Sequence, residues 1–285
     1  MSGPLSPSSL SGVRPEIHVL GISLKSFGIV FASGFIAAGM ILVRRLRELA
    51  KPVDWAYEMA FAAMLGGLVG ARVYYLIENY SQVKHDLIGS LFSGSGLVWY
   101  GGVIGGALAV LGWARWRGIL NLALLDLACV PLALGYAIGR IGCQVSGDGD
   151  YGAWCYRGST PVTCPGSKLS WSMSYPHGTV QTPPGVRVQP TPIYETVAMG
   201  LVAWWLWRMR DRYRPGVLFA FYLVLGGLER LLIEFLRRNH RIVVGLTAPQ
   251  LESIALMVIG AVWLAVLGQR GGLRPASANP APAFA

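Results

Sequence analysis

The sequence predicts an all-α integral membrane protein: a seven-transmembrane-helix bundle with its N-terminus outside, its C-terminus cytoplasmic and an external (periplasmic) loop between spans four and five. Three observations predict it. Of the 285 residues 53% are hydrophobic and only 13% charged, and the mean hydropathy is +0.49, well outside the range of a soluble globular domain. The apolar residues gather into stretches of roughly 17–25 residues, the length that crosses a hydrocarbon core. The basic residues fall between those stretches, and unevenly.

Seven stretches fit a span: 24–43, 55–77, 96–114, 122–143, 192–207, 217–236 and 249–267. The connections after spans one, three, five and seven carry Arg44, Arg45, Arg47 and Lys51, then Arg115 and Arg117, then Arg208, Arg210, Arg212 and Arg214, then Arg270 and Arg274. The opposite side has fewer and more dispersed basic residues. By the positive-inside bias the first set is cytoplasmic. An external segment 1–23 lacks a basic region followed by a cleavage site, so no removable signal peptide is expected. The transmembrane domain is 24–267, including the loop 144–191, and a tail 268–285, rich in Pro, Ala and Gly, reads as disordered and cytoplasmic.

The formal charge of +10 raises nucleic acid as a partner, but the cations are spread between apolar runs instead of clustering on one polar segment, which excludes that class. No internal repeat and no pair of broken helices points to a transporter. Cys129 and Cys143 sit within span four. Cys155 and Cys164 lie in the external loop, a disulfide-permissive place, where they either bridge a short loop or stay free. No Cys/His spacing resembles a zinc site, and the "SGDGDYG" run lacks the remaining ligands of a calcium loop. No metal or cofactor is expected.

An arginine inside a span costs at least about 2.5–3.5 kcal/mol, so it marks function by default. Three qualify: Arg72 in "VGARVYY", Arg140 in "IGRIGC" and Arg230 in "LERLLIEFLRR". All are on even-numbered spans, which run from inside to outside, and all fall in the outer half. Arg230, Glu234 and Arg237 stand at i, i+4 and i+7, a polar stripe on one helical face. Guanidinium is suited to bidentate binding of phosphate or carboxylate, and in an outer leaflet the abundant anion is a phospholipid headgroup. Structural pairing with Glu58, Glu78, Glu229 or Glu234 is the plainer alternative for each arginine taken singly. The glycines of "WYGGVIGG" and "GYAIGRIG" fit close helix packing.

In order along the chain, "SFGIVFASGF", "VGARVYY", "WYGGVIGG", "GRIGCQVSGDGDYG", "QPTPIYE", "LERLLIEFLR" and "GLTAPQ" resemble the motifs of the prolipoprotein diacylglyceryl transferases of bacteria, over nearly the whole chain. The resemblance implies transfer of the diacylglyceryl group from phosphatidylglycerol to the lipobox cysteine of a preprolipoprotein signal peptide, with release of glycerol phosphate, in the bacterial cytoplasmic (inner) membrane and toward its outer leaflet. Arg140 and Arg230 match the family's essential arginines. Gly142 and Gly147 match signature glycines and Asp148 the acidic residue after them. Tyr194 and Glu195 match the tyrosine-glutamate after the proline motif, and Gln250 the glutamine opening the last span. The chain departs at Tyr100, where the family has a histidine, at Phe27 in place of a tyrosine, at Cys143 in place of an asparagine and at Gln189 in place of a second histidine.

Such a reaction takes its sulfur nucleophile from the substrate, so the enzyme must hold the phosphate, stabilise the charge that develops on it and help the thiol lose a proton. Arg140 and Arg230 suit the first two tasks, with Arg72 and Arg237 as supports. For the proton, Tyr100 serves as relay or only hydrogen-bonds the lipid, and Glu195 and Glu234 either act as bases or orient an arginine. Cys143 reads as a small packing residue. Three alternatives stay open: a paralogue that binds anionic phospholipid without the transfer, a transferase with another acceptor, and a transporter.

Overall fold

The computed structural model describes residues 13–19, 22–80, 99–239, 241–243 and 245–274. The expectations for the first residues, for the start of the third span and for most of the tail lie outside them. Seven α-helices run through the described residues: α1 Ser26–Glu48, α2 Asp54–Glu78, α3 Trp99–Trp116, α4 Leu122–Ser146, α5 Thr191–Met209, α6 Val217–Glu234 and α7 Ala248–Gln269. Each coincides with one predicted span, its ends shifted by a few residues. Four of them, α1, α2, α4 and α7, are long and apolar enough to cross a membrane by length and composition. The chain is a helical membrane protein.

The fold is all-α, as expected, with short additions. Three antiparallel hairpins accompany the helices: β1 Glu16–Val19 with β2 Ile22–Lys25, β3 Cys155–Arg157 with β4 Thr160–Val162, and β5 Arg241–Val243 with β6 Leu246–Thr247. Leu24 and Lys25, counted into span one from hydropathy, therefore belong to a strand. Ser26 starts α1 and donates its backbone N–H to Pro15 O. At the other end of the chain α6 stops at Glu234, two residues before the apolar run ends, because Leu236 N and Arg237 N bond back to Ile233 O and Glu234 O in tight i→i+3 turns.

The helix ends follow their sequences. Arg45 and Arg47 occupy the last turn of α1, where cations meet the negative end of the dipole. Helix α6 begins after Gly216, at φ +92°, and Asp126 of α4 accepts from Gly216 N at 2.7 Å and Phe219 N at 2.8 Å. This satisfies donors that a helix N-terminus otherwise leaves bare. Helix α7 begins with a capping box: Thr247 Oγ1 accepts from Gln250 N, and the Gln250 side chain accepts from Thr247 N.

The described residues form two compact units, one holding those up to Ala38 and from Leu125 onward, the other those from Gly39 to Leu124. In the second unit the glycine motif does what close packing requires. Gly101 and Gly105 of α3 lie against Gly66 and Gly70 of α2, so that a Cβ added at Gly105 would meet Gly66 O and come within 2.7 Å of Gly70 Cα. Glu58 then ties the far ends together, accepting from Trp113 Nε1 at 2.7 Å and Arg117 Nε at 2.9 Å. Gly105→Ala should force α2 and α3 apart and lower stability by about 1–3 kcal/mol. Gly112→Ala, where a Cβ meets nothing within 4 Å, should leave thermal unfolding in detergent unchanged or raised.

In the first unit α6 and α7 pack through Gly227 and Gly260; a Cβ at Gly227 would fall 2.8 Å from Met257 Cγ. The segment between α4 and α5 builds a small core of its own from Tyr151, Tyr175, Val186 and Val188, joined by Val13. Tyr151 and Tyr175 stack at 4.6 Å. A Cys155–Cys164 disulfide closes the β3–β4 hairpin, which resolves the alternative left by the sequence. The segment is fastened to the helix ends through Gly152 N to Gln189 O and Ala153 N to Leu236 O. Arg238 adds a cation–π contact, 3.8 Å from the Trp154 ring centroid.

Candidate active site

Three helix ends in the first unit carry ionisable residues that hydrocarbon does not tolerate singly, and they meet. Arg140 comes from the last two turns of α4, Glu195 from the first turns of α5, and Arg230 and Glu234 from the end of α6. Glu195 is fully buried and sits at the centre. Its carboxylate pairs with Arg140 Nε, with Arg230 Nη1 at 3.3 Å and with Arg237 Nη1 at 3.4 Å. Around it, Asp150 pairs with both Arg140 and Arg237, and Arg230 Nη2 pairs with Glu234 Oε2 at 3.0 Å. Glu234 is held from its other oxygen, which accepts from Asn239 Nδ2 at 2.8 Å and Thr247 Oγ1 at 2.7 Å.

The electrostatics follow from the count. Three guanidinium groups face three carboxylates, and each arginine offers five N–H donors, more than these pairings use. The cluster is therefore charge-compensated while retaining donors for a further anion. Asp150 is the most exposed of the three carboxylates, with 29% of its side chain accessible against 0% for Glu195 and Glu234. Burial alone would push the Asp150 carboxyl up, but Arg237 and Arg140 outweigh it and hold it below the ordinary range. Asp148 goes the other way, raised by burial and then by the charge of Asp150.

A lowered folded pKa makes the Asp150 pairing a stabilising contribution that is complete above about pH 4 and lost as the pH falls through the depressed value. Asp150→Asn should therefore reduce stability near pH 7 by about 1–3 kcal/mol. The deficit should narrow below pH 3, when thermal unfolding of both proteins is followed in detergent.

Of the residues that the sequence marked, Arg140, Arg230, Arg237, Glu195 and Glu234 converge. Asp148 does not pair as its neighbour does: it shapes the turn, accepting from Asp150 N at 3.2 Å. Gly147 at φ +58° and Gly149 at φ +97° let that turn form. Gly142 lets α4 approach α1; a Cβ there would be 3.2 Å from Phe27 Cδ2. Tyr194 accepts from Trp171 Nε1 at 2.7 Å, facing the loop. Gln250 is used by the α7 capping box and connects to the cluster through Thr247 and Glu234. Arg72 is buried on α2 of the second unit, 5.3 Å from the Tyr75 ring centroid. Tyr100 is the second residue of α3, and its side chain lies outside the described residues.

Sequence reasoning missed Asp150 as a site residue. Its only signal was the repeated Gly-Asp, which does not say which carboxylate turns inward. Tyr136 was also missed; one turn before Arg140, its ring lies 4.7 Å from the guanidinium carbon. Cys143, Asp148 and Asp150 bring three potential metal-ligand atoms within 4.8 Å of one another. Two arginines already hold Asp150, and their charge opposes a cation there.

Fold and cluster together define a helical membrane protein that keeps a charge-compensated arginine–carboxylate cluster at the ends of its helices. Residues 15–266 match the family model described as prolipoprotein diacylglyceryl transferase, and the chain belongs to that family. A relative from Leptospira interrogans serovar copenhageni, named phosphatidylglycerol–prolipoprotein diacylglyceryl transferase, is 31% identical over 254 residues, covering 80% of this chain and 76% of its own. A relative of the same name from Clostridium tetani is 28% identical, over 87% of this chain and 95% of its own. One from Clostridium perfringens, numbered 2 under that name, is 29% identical over 85% and 91%.

Proposed function

We infer that the chain transfers the diacylglyceryl group of phosphatidylglycerol to the thiol of a lipobox cysteine in a prolipoprotein, releasing glycerol phosphate. Family membership makes it a diacylglyceryl transferase. The observation that carries the reading further is the half-buried trio Arg140, Arg230 and Arg237 arranged around the buried Glu195. On the topology read from the basic residues, seven spans with the N-terminus outside, this cluster faces the outer leaflet of the bacterial inner membrane.

The lipid phosphate takes the spare guanidinium N–H groups and competes with Asp150, the most exposed carboxylate of the set. The peptide thiolate attacks the glyceryl carbon that bears the phosphate. As the carbon–oxygen bond breaks, its electron pair passes to the phosphate oxygen, and preorganised guanidinium groups stabilise the charge that appears there. Cys143 has no covalent part in this scheme, because a thioether formed on it would not leave again. The signal-peptide helix and the lipid enter from the bilayer.

The test incubates the purified protein with phosphatidylglycerol and a lipobox-cysteine peptide and follows peptide mass together with glycerol phosphate. A diacylglyceryl mass gain with stoichiometric glycerol phosphate is expected. Tyr100, in place of the family histidine, favours one second reading: a paralogue that binds the lipid and does not turn it over. A folded protein that binds phosphatidylglycerol vesicles and yields no product would establish that reading instead.

A further inference from the structure

The reaction inferred above requires a proton acceptor for the peptide thiol, and none of the paired carboxylates is free to act as one. Glu195 is locked among three arginines. Glu234 is held by Arg230, Asn239 and Thr247, and Asp150 is held by Arg140 and Arg237. The same unit contains another carboxyl that these networks leave aside. Glu229, next to Arg230 on α6, is only 8% exposed, and its Oε1 is buried without a hydrogen-bond partner among the described residues. The hydroxyl of Tyr136, whose ring lies under Arg140, is buried without a partner as well. Buried polar atoms are nearly always satisfied, and an unsatisfied one in a native structure needs an explanation.

The two groups belong to one neighbourhood. Glu229 is an electrostatic neighbour of Glu195, Arg140, Arg230 and Arg237, and Tyr136 is one of Arg140, Glu195, Glu229 and Arg230. Tyr222, two turns earlier on α6, also feels Glu229. From α7, packed along α6, the buried polar residues are Ser253 and Gln250, neither of which titrates. On the inferred topology both α4 and α6 run outward. Tyr136 therefore lies one turn, about 5–6 Å, deeper than Arg140, and Glu229 lies on the deep side of Arg230. A phospholipid whose phosphate is held by those arginines extends its diacylglyceryl part toward the bilayer centre. Its reacting carbon is then on the side where Tyr136 and Glu229 stand.

We propose that Glu229 is the general base of the transfer: its carboxylate takes the proton of the acceptor thiol, and the Tyr136 hydroxyl, the other unpartnered polar group of the neighbourhood, orients the thiol beside the reacting carbon. This rests on the transferase reading. The Glu229 carboxylate gains the S–H proton as the sulfur forms its bond to the glyceryl carbon. The carbon–oxygen bond breaks with its electron pair going to phosphate, and the proton leaves Glu229 for the departing phosphate monoester or for water. Tyr100 then need not replace the family histidine as a base.

The experiment measures kcat/KM for a lipobox peptide against pH, in phosphatidylglycerol nanodiscs, for the wild type, Glu229→Gln and Tyr136→Phe, with thermal unfolding and lipid binding measured on each. Glu229→Gln should bind the lipid, lose about 10²-fold or more at pH 7 and recover toward pH 9, where the peptide thiol ionises without help. Tyr136→Phe should lose about tenfold, with its acid limb displaced. A Glu229→Gln rate within threefold of wild type, or a loss constant across the pH range, would overturn the assignment. If Glu229→Gln does not fold, an unchanged acid limb in Tyr136→Phe would overturn it. A wild type that makes no diacylglyceryl peptide defeats the transferase reading itself, and the base falls with it; an active wild type beside an unaffected Glu229→Gln defeats the base alone.

Discussion

Replacing Arg140 with alanine is expected to cut diacylglyceryl transfer by about 10³-fold or more while leaving a folded membrane protein. Arg140 meets two of the three cluster carboxylates, Asp150 and Glu195, from one guanidinium, so it sets the geometry of the anion site as well as part of its charge. The folded state survives because both carboxylates keep Arg237 as a partner. Arg140→Lys should recover only part of the activity, since an ammonium supplies the charge and not the planar fork that serves two anions at once. Single-turnover transfer to a lipobox peptide, with thermal unfolding beside it, checks both statements. An Arg140→Ala protein within tenfold of wild type would remove this arginine from the chemistry.

Hydropathy made the helices legible, and its signal is weaker at two of the three helices that build the site. Helices α1, α2, α4 and α7 are apolar enough to stand out by composition. Helix α5 opens with Thr191, Tyr194, Glu195 and Thr196, and α6 carries Glu229, Arg230 and Glu234. These residues lower the apolar signal because they make the cluster, which is where local rules and function are expected to conflict. Arg140, Arg230 and Glu234 were legible because a charge inside an apolar run has few explanations. The i+7 place of Arg237 gave the right neighbour for an incomplete reason: the helix ends at Glu234, and a turn delivers Arg237 to Glu195 and Asp150.

Asp150 was illegible for a physical reason. Its partners are ten residues back, at Arg140, and on another helix end, at Arg237. The two aspartates of "GDGD" have the same chemistry, and only the positive φ of Gly147 and Gly149 decides that Asp148 braces the turn while Asp150 enters the cluster. Hydrophobic periodicity has no counterpart for such a turn. The hairpins flanking α1 and α7 were hidden similarly, since short alternating segments next to a long apolar run read as its continuation.

Glu195→Gln should have the largest effect on stability. Among the described residues Glu195 is the only carboxylate that touches all three arginines, and it is entirely buried. Gln keeps the shape and removes the charge, so three guanidinium groups are left facing Asp150 and Glu234 alone. Breaking a buried ion pair from one side costs about 3–5 kcal/mol, because the remaining charge is desolvated without compensation. A fall of roughly 10 °C in the unfolding temperature is expected for a chain of this size. The origin of the loss is testable through a second change. If uncompensated positive charge is the cause, Arg140→Ala should relieve part of it, and the Arg140→Ala/Glu195→Gln protein should unfold at a higher temperature than Glu195→Gln alone. Simple addition of the two losses would show instead that Glu195 acts by packing between α4, α5 and α6, since independent sites add and members of one charge network do not.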